Sequence, residues 1–348
     1  MTAITSLSTS IQPQYLREDD RVSTEDRHTW FVFSSLHTFS GMKAARIHEY
    51  GDASVIRFED VPRPVPGPGE VLTQVAASSF NPSETALRSG LLRSVLPLNL
   101  PYTLGWDVAG TVVEIGSNVH TLAVGDRVVG RLDSGGAAAE YVAAPADTLV
   151  PAPAAIPLAN AAAIPVAGLT AWQAVFDHAR ITPGQRVLVN GAGGGVGGFA
   201  VQLAKHAGAQ VIATASPRSA AAVRQLGADQ IIDYSASPVN DAVEKPVDTV
   251  INLVAISPVE AAALVPLVRP GGVIVSIATP IEPPADASVS AMHMVARNDV
   301  NHLAALVKLV DAGTVRLDID SSRPLADLAA VHRDAEAGHT RGKTILIP

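Results

Sequence analysis

The sequence predicts a two-domain α/β protein, in which a β-rich domain is followed by a doubly wound parallel sheet. Three observations lead to this prediction: a length of 348 residues, short alternating apolar segments in the first half, and fully apolar segments alternating with alanine-rich segments in the second half. A single hydrophobic core seldom extends over so long a chain, so two domains are expected.

Residues 1–41 precede the first regular pattern. They are largely polar outside residues 30–33, and they show no sustained helical or strand periodicity. An alternating, strand-like run begins at Met42. We therefore expect residues 1–41 to form a disordered N-terminal extension.

Residues 42–160 have the pattern of a β-domain. Apolar and polar residues alternate over short segments such as 70–78 and 109–116, and Gly and Pro separate these segments. This alternation is typical of strands with one buried face, joined by turns.

Residues 161–297 predict a parallel sheet covered by helices. Fully apolar strands, which are RVLVN, QVIATA, DQIIDY, VDTVINLV and GGVIVSIA, alternate with helical segments such as VGGFAVQLAKHAG and SAAAVRQLGA. Strands without polar alternation are buried on both faces, as in α/β proteins. Residues 298–348 add two predicted helices, at 301–313 and 324–338, and a closing strand after Gly342.

A glycine-rich turn lies between the first predicted strand of the parallel sheet and its helix. Glycines in this position allow a tight turn and let backbone N–H groups at the helix N-terminus approach a pyrophosphate. Gly193, Gly195 and Gly198 satisfy the G-x-G-x-x-G spacing, and the flanking strand and helix supply the context that the motif requires. The sequence therefore predicts a bound dinucleotide.

The end of the second strand indicates which dinucleotide is bound. NAD sites usually carry an Asp or Glu there, about 20 residues beyond the glycines, to bind the ribose 2′-hydroxyl. This chain has Ser216 and Arg218 instead, and Tyr234 closes the third strand. A guanidinium and a hydroxyl suit a 2′-phosphate, so NADPH is expected.

Composition excludes several other classes of protein. The net charge of −8, without any basic block, gives no attraction to nucleic acid or anionic lipid. No apolar run reaches the length of a membrane span. The absence of cysteine excludes disulfides, thiolate metal sites and a cysteine nucleophile. No signal pattern is evident at the N-terminus, so a cytoplasmic location is expected.

Several motifs occur in the order of one known family. They are NPSETALRSG (81–90), LPYTLGWDVAGTVVEIG (100–116), VGDRV (124–128), IPVAGLTAW (164–172), VLVNGAGGGVG (187–197), LGAD (226–229) and GK (342–343). Together they resemble the medium-chain dehydrogenase/reductase superfamily and, within it, the zinc-free quinone oxidoreductases similar to zeta-crystallin. The resemblance implies a GroES-like β-domain over 42–160, completed by 298–348, and a Rossmann domain over 161–297. It also implies a glycine motif at Gly191, Gly194 and Gly197, with Gly195 and Val196 between them.

The resemblance also implies a zinc-independent mechanism. Zinc alcohol dehydrogenases of this superfamily bind catalytic zinc through Cys, His and Cys, and the matching residues here are Asn81, Trp106 and Ala162. None of the three is a usual zinc ligand, so no metal ligands are predicted. Zinc-free relatives transfer hydride from NADPH to a quinone or to an α,β-unsaturated carbonyl compound, and this activity is the expected one.

Further site residues follow from the resemblance. Asn81 is expected to contact the carbonyl of the acceptor, and Thr170 is expected to pack against the nicotinamide. Tyr102 either faces the pocket or fills the core of the β-domain, and Asp107 is expected to support the site. The strand ends at Asn252, Val254, Ile277 and Thr279 are expected to contact the cofactor, because dinucleotides bind at the carboxyl edge of such sheets.

Two other functions stay open from the sequence. One is an enoyl-thioester reductase, which shares the glycine motif, and the other is a non-catalytic NADPH-binding or structural protein. Relatives are commonly homodimers that extend the parallel sheet, and residues 291–296 form a possible edge strand for such pairing.

Overall fold

The computed structural model describes residues 41–348. Apart from Gly41, the extension predicted over residues 1–41 lies outside the described residues. The first part of the described chain consists of β1 (Gly41–Ile47), β2 (Ile56–Pro62), β3 (Glu70–Ser79), α1 (Ser83–Ser89), β4 (Tyr102–Thr103), β5 (Asp107–Ile115), β6 (Arg127–Arg131), β7 (Tyr141–Pro145) and β8 (Leu149–Pro151).

Alternating strands and helices follow. They are α2 (Leu158–Ala161), α3 (Pro165–Trp172), β9 (Arg186–Asn190), α4 (Gly195–His206), β10 (Gln210–Ala215), α5 (Pro217–Gln225), β11 (Gln230–Asp233), α6 (Val239–Ala242), β12 (Val247–Asn252), α7 (Pro258–Leu264), β13 (Val268–Ser276) and β14 (Ser290–His293). The chain ends with α8 (Val300–Asp311), β15 (Ile319–Pro324), α9 (Leu328–Glu336) and β16 (Lys343–Ile347). A π-helical segment (Gln173–His178) continues α3.

The strands of the first part of the chain, together with β15 and β16, form two β-sheets. A three-stranded sheet has the order β2-β1-β4, and a seven-stranded sheet has the order β15-β16-β3-β5-β6-β8, with β7 also paired to β3. β16 runs antiparallel to β3 and parallel to β15. The last strands of the chain therefore join the sheet built by its first strands.

The third sheet has six parallel strands in the order β11-β10-β9-β12-β13-β14. Numbered along the chain, this is the 3-2-1-4-5-6 order of a doubly wound dinucleotide-binding sheet. Val187, Leu188 and Val189 of the central β9 are completely buried, as expected for a strand covered on both faces. The predicted α/β fold class is confirmed.

The largest hydrophobic core lies between the parallel sheet and helices α3, α4 and α8. Leu203 of α4 and Leu303 and Leu306 of α8 are completely buried in it. The residues after β14 therefore contribute both to this core, through α8, and to the first sheet, through β15 and β16. The domain boundaries at residues 160 and 297 stay predictions.

None of the helices between residues 41 and 348 has both the length and the hydrophobicity that a membrane span requires.

Candidate active site

A cleft of about 670 Å³ lies between the carboxyl edge of the parallel sheet and two segments of the chain that adjoin the seven-stranded sheet. Its lining includes the glycine turn after β9, residues 80–82 before α1, and residues 340–344 at the start of β16. A volume of several hundred cubic ångströms is typical of small-molecule and cofactor sites.

The glycine turn has a geometry that larger residues could not adopt. Gly191 has a φ of +94°, in the left-handed region that favours glycine. A Cβ atom on Gly197 would overlap the carbonyl oxygen of Gly191 and the backbone of Ala192. The turn is held from the opposite side by Gly342, whose N–H donates to the Gly193 carbonyl at 2.9 Å.

The N-terminus of α4 faces the cleft. Gly194 is the N-cap residue, and Gly194, Gly195, Val196 and Gly197 all line the cleft. The first N–H groups of a helix have no partner within the helix, and the helix dipole favours an anion there. The backbone of this turn therefore fits the pyrophosphate of a dinucleotide.

Buried polar side chains fix the strand ends behind this turn. Asn190 Nδ2 donates to Asn252 Oδ1 at 2.8 Å, and Asn252 Nδ2 donates to Ser276 Oγ at 3.0 Å. Thr214 Oγ1 donates to Asn190 Oδ1 at 2.9 Å and accepts from the N–H of Gly191 at 2.8 Å. This chain of hydrogen bonds joins β10, β9, β12 and β13, and it fixes the position at which the glycine turn begins.

Ser216, Arg218 and Tyr234 all line the cleft, and Ser216 and Tyr234 follow the paired ends of β10 and β11. β10 ends at Ala215, and Ser216, Pro217 and Arg218 follow it. The acidic residue of an NAD site is therefore absent from this strand end. The Arg218 guanidinium is exposed and donates to the carbonyl oxygens of Gly338 at 3.0 Å and His339 at 3.3 Å. A cation and two hydroxyl-bearing side chains therefore line the cleft after the ends of β10 and β11.

A buried polar cluster lies behind the opposite wall of the cleft, and two of its members, Asn81 and Lys343, line that wall. The cluster consists of Asn81, Glu84, Asp107 and Lys343, each at most 4% exposed. Lys343 Nζ donates to Asn81 Oδ1 at 2.8 Å and to the Phe80 carbonyl at 3.0 Å, and it lies 3.4 Å from Asp107 Oδ2. Asp107 also accepts from Ser79 Oγ at 2.5 Å and from the N–H of Val166 at 2.7 Å. The carboxylate thereby connects β3, β5 and the start of α3.

Burial shifts the protonation of this cluster. Burial, together with the nearby Asp107 charge, raises the pKa of Glu84 to about 7. Burial also lowers the pKa of Lys343, against the opposing charges of Asp107 and Glu84. Both shifts have the same cause, because desolvation disfavours the charged form of each group.

The structure brings most of the predicted residues to the cleft. Its lining includes Asn81, Gly191, Gly194, Gly195, Val196, Gly197, Ser216, Arg218, Tyr234 and Val254. Five predicted residues are outside the lining, namely Tyr102, Thr170, Asn252, Ile277 and Thr279. The assigned roles of all these residues stay predictions.

The residues outside the lining have local partners. The Thr170 hydroxyl donates to the Val166 carbonyl at 2.6 Å, and Thr279 Oγ1 accepts from the N–H of Ile256 at 3.0 Å. The Tyr102 hydroxyl lies against Gly135, where a side chain would collide with it. Burial raises the pKa of Tyr102 to about 12.

Sequence reasoning does not single out Lys343 or Glu84 as site residues. The signals for them were the GK pair at 342–343 and the acid that follows Asn81 within the NPSE segment. Neither signal tells from the sequence that the two side chains meet at Asn81.

The cluster does not fit a catalytic zinc ion. Asn81 already makes three hydrogen bonds within the protein, and Trp106 and Ala162 have no ligand atom suited to zinc. Within residues 41–348, no three His, Cys, Asp or Glu side chains come together as a metal-binding group.

Comparison with known proteins agrees with this geometry. Residues 67–154 match the family model described as an alcohol dehydrogenase GroES-like domain, and residues 226–346 match the model described as a zinc-binding dehydrogenase. The chain is 33% identical over 327 residues to the chloroplastic quinone oxidoreductase QR1 of Triphysaria versicolor, covering 88% of this chain and 98% of the relative.

Solved structures give the same result. The Escherichia coli quinone oxidoreductase complexed with NADPH is 27% identical and superposes with a TM-score of 0.79, covering 88% of this chain and 100% of that chain. An NAD-dependent alcohol dehydrogenase is 28% identical with a TM-score of 0.81 over the same shares. The two matched domains and the similarity over nearly the full length of these relatives show that the chain belongs to the medium-chain dehydrogenase/reductase superfamily, in its quinone oxidoreductase family.

Proposed function

We propose that this protein is an NADPH-dependent, zinc-independent oxidoreductase that reduces quinones or α,β-unsaturated carbonyl compounds. The observation that carries the proposal is the cleft itself. One wall is a glycine turn suited to a dinucleotide, and the other carries Asn81 and Lys343, which belong to a buried polar cluster without a zinc ligand set.

NADPH, when bound, would supply a hydride to an acceptor that is already electrophilic. The protein residues would bind and orient both molecules. The glycine turn and the N-terminus of α4 would hold the pyrophosphate, and the cluster around Asn81 would provide a rigid polar surface beside the reacting groups. The second hydrogen of the reduced acceptor would arrive as a proton from solvent.

The preference for NADPH is supported by Arg218, Ser216 and Tyr234. A 2′-phosphate carries up to two negative charges, and the exposed Arg218 lines the cleft just after β10 ends. Hydrogen bonds between a guanidinium and a phosphate are among the strongest in proteins.

An acceptor panel tests the reaction. NADPH oxidation would be followed at the nicotinamide absorbance with 1,4-benzoquinone, a small enone, and an enoyl thioester of coenzyme A. We expect turnover with the quinone or the enone. Turnover with the thioester alone would identify an enoyl-thioester reductase, and NADPH binding without any turnover would identify a non-catalytic binding protein.

We further propose a homodimer that pairs through β14, the outer strand of the parallel sheet. Met292 on this strand and Val295 just after it are 39% and 81% exposed, and such an edge favours pairing with another strand. Light scattering at several concentrations would give the mass in solution, and a monomer at every concentration would contradict the proposal. The cytoplasmic location stays a prediction.

A further inference from the structure

The side chain of Asn81 has its amide group fixed in one orientation. Its Nδ2 donates to Asp107 Oδ2 at 2.8 Å and to Glu84 Oε1 at 3.3 Å. A side-chain amide has only two N–H hydrogens, so both are already used. Glu84 and Asp107 are outside the cleft lining, so the amide nitrogen points toward buried carboxyl groups.

The amide oxygen of Asn81 faces the cation of the cluster. Oδ1 accepts from Lys343 Nζ at 2.8 Å. Rotating the amide by 180° would place its oxygen against two carboxyl groups and its N–H groups against an ammonium. Both contacts are unfavourable in a buried site, so the charges determine the orientation.

This arrangement changes the chemistry that Asn81 can offer. A donor role toward the carbonyl of the acceptor would require Asn81 to break a contact with a buried carboxyl group. Its oxygen has two lone pairs, and Lys343 uses one. Asn81 therefore offers the cleft a hydrogen-bond acceptor, polarised by the neighbouring ammonium.

The protonation of Glu84 responds to pH near neutrality, because burial raises its pKa to about 7. The charged or titratable groups around it are Asp107 on β5, Lys343 on β16 and Tyr102 on β4. The ammonium of Lys343 lies 3.4 Å from Asp107, so one cation faces two carboxyl groups. A proton on Glu84 neutralises the cluster, and its loss leaves one net negative charge.

We propose that Glu84 is a positioning residue for the reaction: its ionised carboxylate holds the Asn81 amide in this orientation, and protonation of Glu84 weakens that hold. Asn81 then presents its oxygen to an N–H or O–H group of the bound dinucleotide. The proposal rests on the proposed function, because the orientation matters only if the cleft carries out hydride transfer.

The pH profile of turnover tests the role of Glu84. kcat/KM for NADPH would be measured with 1,4-benzoquinone from pH 6 to pH 8, in wild type and in Glu84→Gln. With a pKa of about 7, the ionised fraction of Glu84 falls roughly tenfold between pH 8 and pH 6, so wild-type kcat/KM should fall by about that factor.

Glu84→Gln keeps a carbonyl oxygen that can accept from Asn81, but it cannot ionise. We expect its profile to be flat across this range, whereas the exposed control Glu114→Gln should keep the wild-type profile. An inflection that persists in Glu84→Gln, or a wild-type profile without an inflection, would overturn the proposal.

A measurement on the unmodified, cofactor-free protein separates this proposal from the proposed function. Burial raises the pKa of the Glu84 carboxyl group to about 7. Infrared titration of wild type should therefore show a protonated-carboxyl band that disappears with a midpoint near pH 7. A missing band would refute the role of Glu84 even if quinones are reduced, whereas a band without any turnover would refute the proposed function and, with it, the role of Glu84 in the reaction. The same titration decides the question if Glu84→Gln fails to fold.

Discussion

At the scale of single residues, the proposed preference for NADPH depends on Arg218. This residue is exposed and lines the cleft, and its partners are two backbone carbonyl oxygens. A 2′-phosphate would be a stronger partner for the guanidinium than these carbonyls. We expect Arg218→Ala to weaken NADPH binding roughly tenfold, which is about 1.4 kcal/mol, and to leave NADH binding unchanged.

Titration of nicotinamide fluorescence with each variant would measure both affinities. Arg224→Ala is a matched control, because Arg224 is also exposed and lies on the same helix but outside the cleft lining. Equal loss of NADPH and NADH affinity in Arg218→Ala, or an equal effect of Arg224→Ala, would contradict the assignment.

The burial of His332 should make the stability of the protein depend on pH. Its ring is completely buried against Phe80, at 5.0 Å between ring centroids, and neither ring nitrogen has a hydrogen-bond partner in the described part of the chain. Burial, assisted by the charge of Arg88, lowers the pKa of His332 from 6.5 to about 3. The unfolded chain therefore binds a proton that the folded protein excludes.

The sign of the effect follows from this shift. The contribution of neutral His332 to the free energy of unfolding is fully present above pH 6.5 and is lost as the pH falls toward 3. By pH 5, the loss is about 2 kcal/mol. In denaturant unfolding, we expect His332→Leu to lose about 2 kcal/mol less than wild type between pH 7 and pH 5. The exposed control His206→Gln should behave like wild type, and equal losses in all three proteins would refute the account.

Local patterns predicted some site residues and could not predict others. The glycine turn and Arg218 are recognisable because the strand, turn and helix that position them are adjacent in the sequence. The contact between Lys343 and Asn81 joins residues 262 positions apart. Hydrophobic periodicity carries no information about such a pair, so the buried cluster emerges only in the folded structure.

At the scale of elements, the close approach of the glycine turn to α4 is the feature most sensitive to substitution. A side chain on Gly197 would collide with the backbone of Gly191 and Ala192, which cannot move without displacing the turn. We expect Gly197→Ala to abolish detectable NADPH binding and to lower the melting temperature by several degrees.

The next glycine of the helix provides the control. A Cβ atom on Gly198 would lie 3.2 Å from Cδ1 of Leu226, the flexible end of a side chain. Gly198→Ala should therefore bind NADPH nearly as well as wild type in the same fluorescence titration. Normal binding by Gly197→Ala would show that the turn does not hold the cofactor closely.

Strongly patterned elements were predicted and weakly patterned ones were not. The apolar strands β9, β10 and β12 and the helix α4 agree with the prediction to within a few residues. β15, with the sequence IDSSRP, has too few apolar residues to read as a strand, and it forms because β16 pairs with it. The π-helical segment after α3 likewise has no signal in the sequence.

At the scale of the whole molecule, the site depends on the return of the chain to its first sheet. β16 pairs with β3, which brings Lys343 to Asn81 and Gly342 to the glycine turn. The glycine turn and the residues that face it, 80–82 and 340–344, thus come from segments more than 100 residues apart in sequence. The doubly wound parallel sheet followed from the sequence pattern and the family resemblance, whereas the detailed contacts across the cleft did not.

The most direct test of the central claim is NADPH oxidation with 1,4-benzoquinone after exhaustive dialysis against a zinc chelator, with the metal content of the same sample measured. We predict that kcat/KM is unchanged in protein whose zinc content is far below one ion per chain. We also predict that NADH supports turnover less well than NADPH. Loss of activity on dialysis, with recovery on adding zinc, would contradict the assignment of the reaction to protein side chains and NADPH alone.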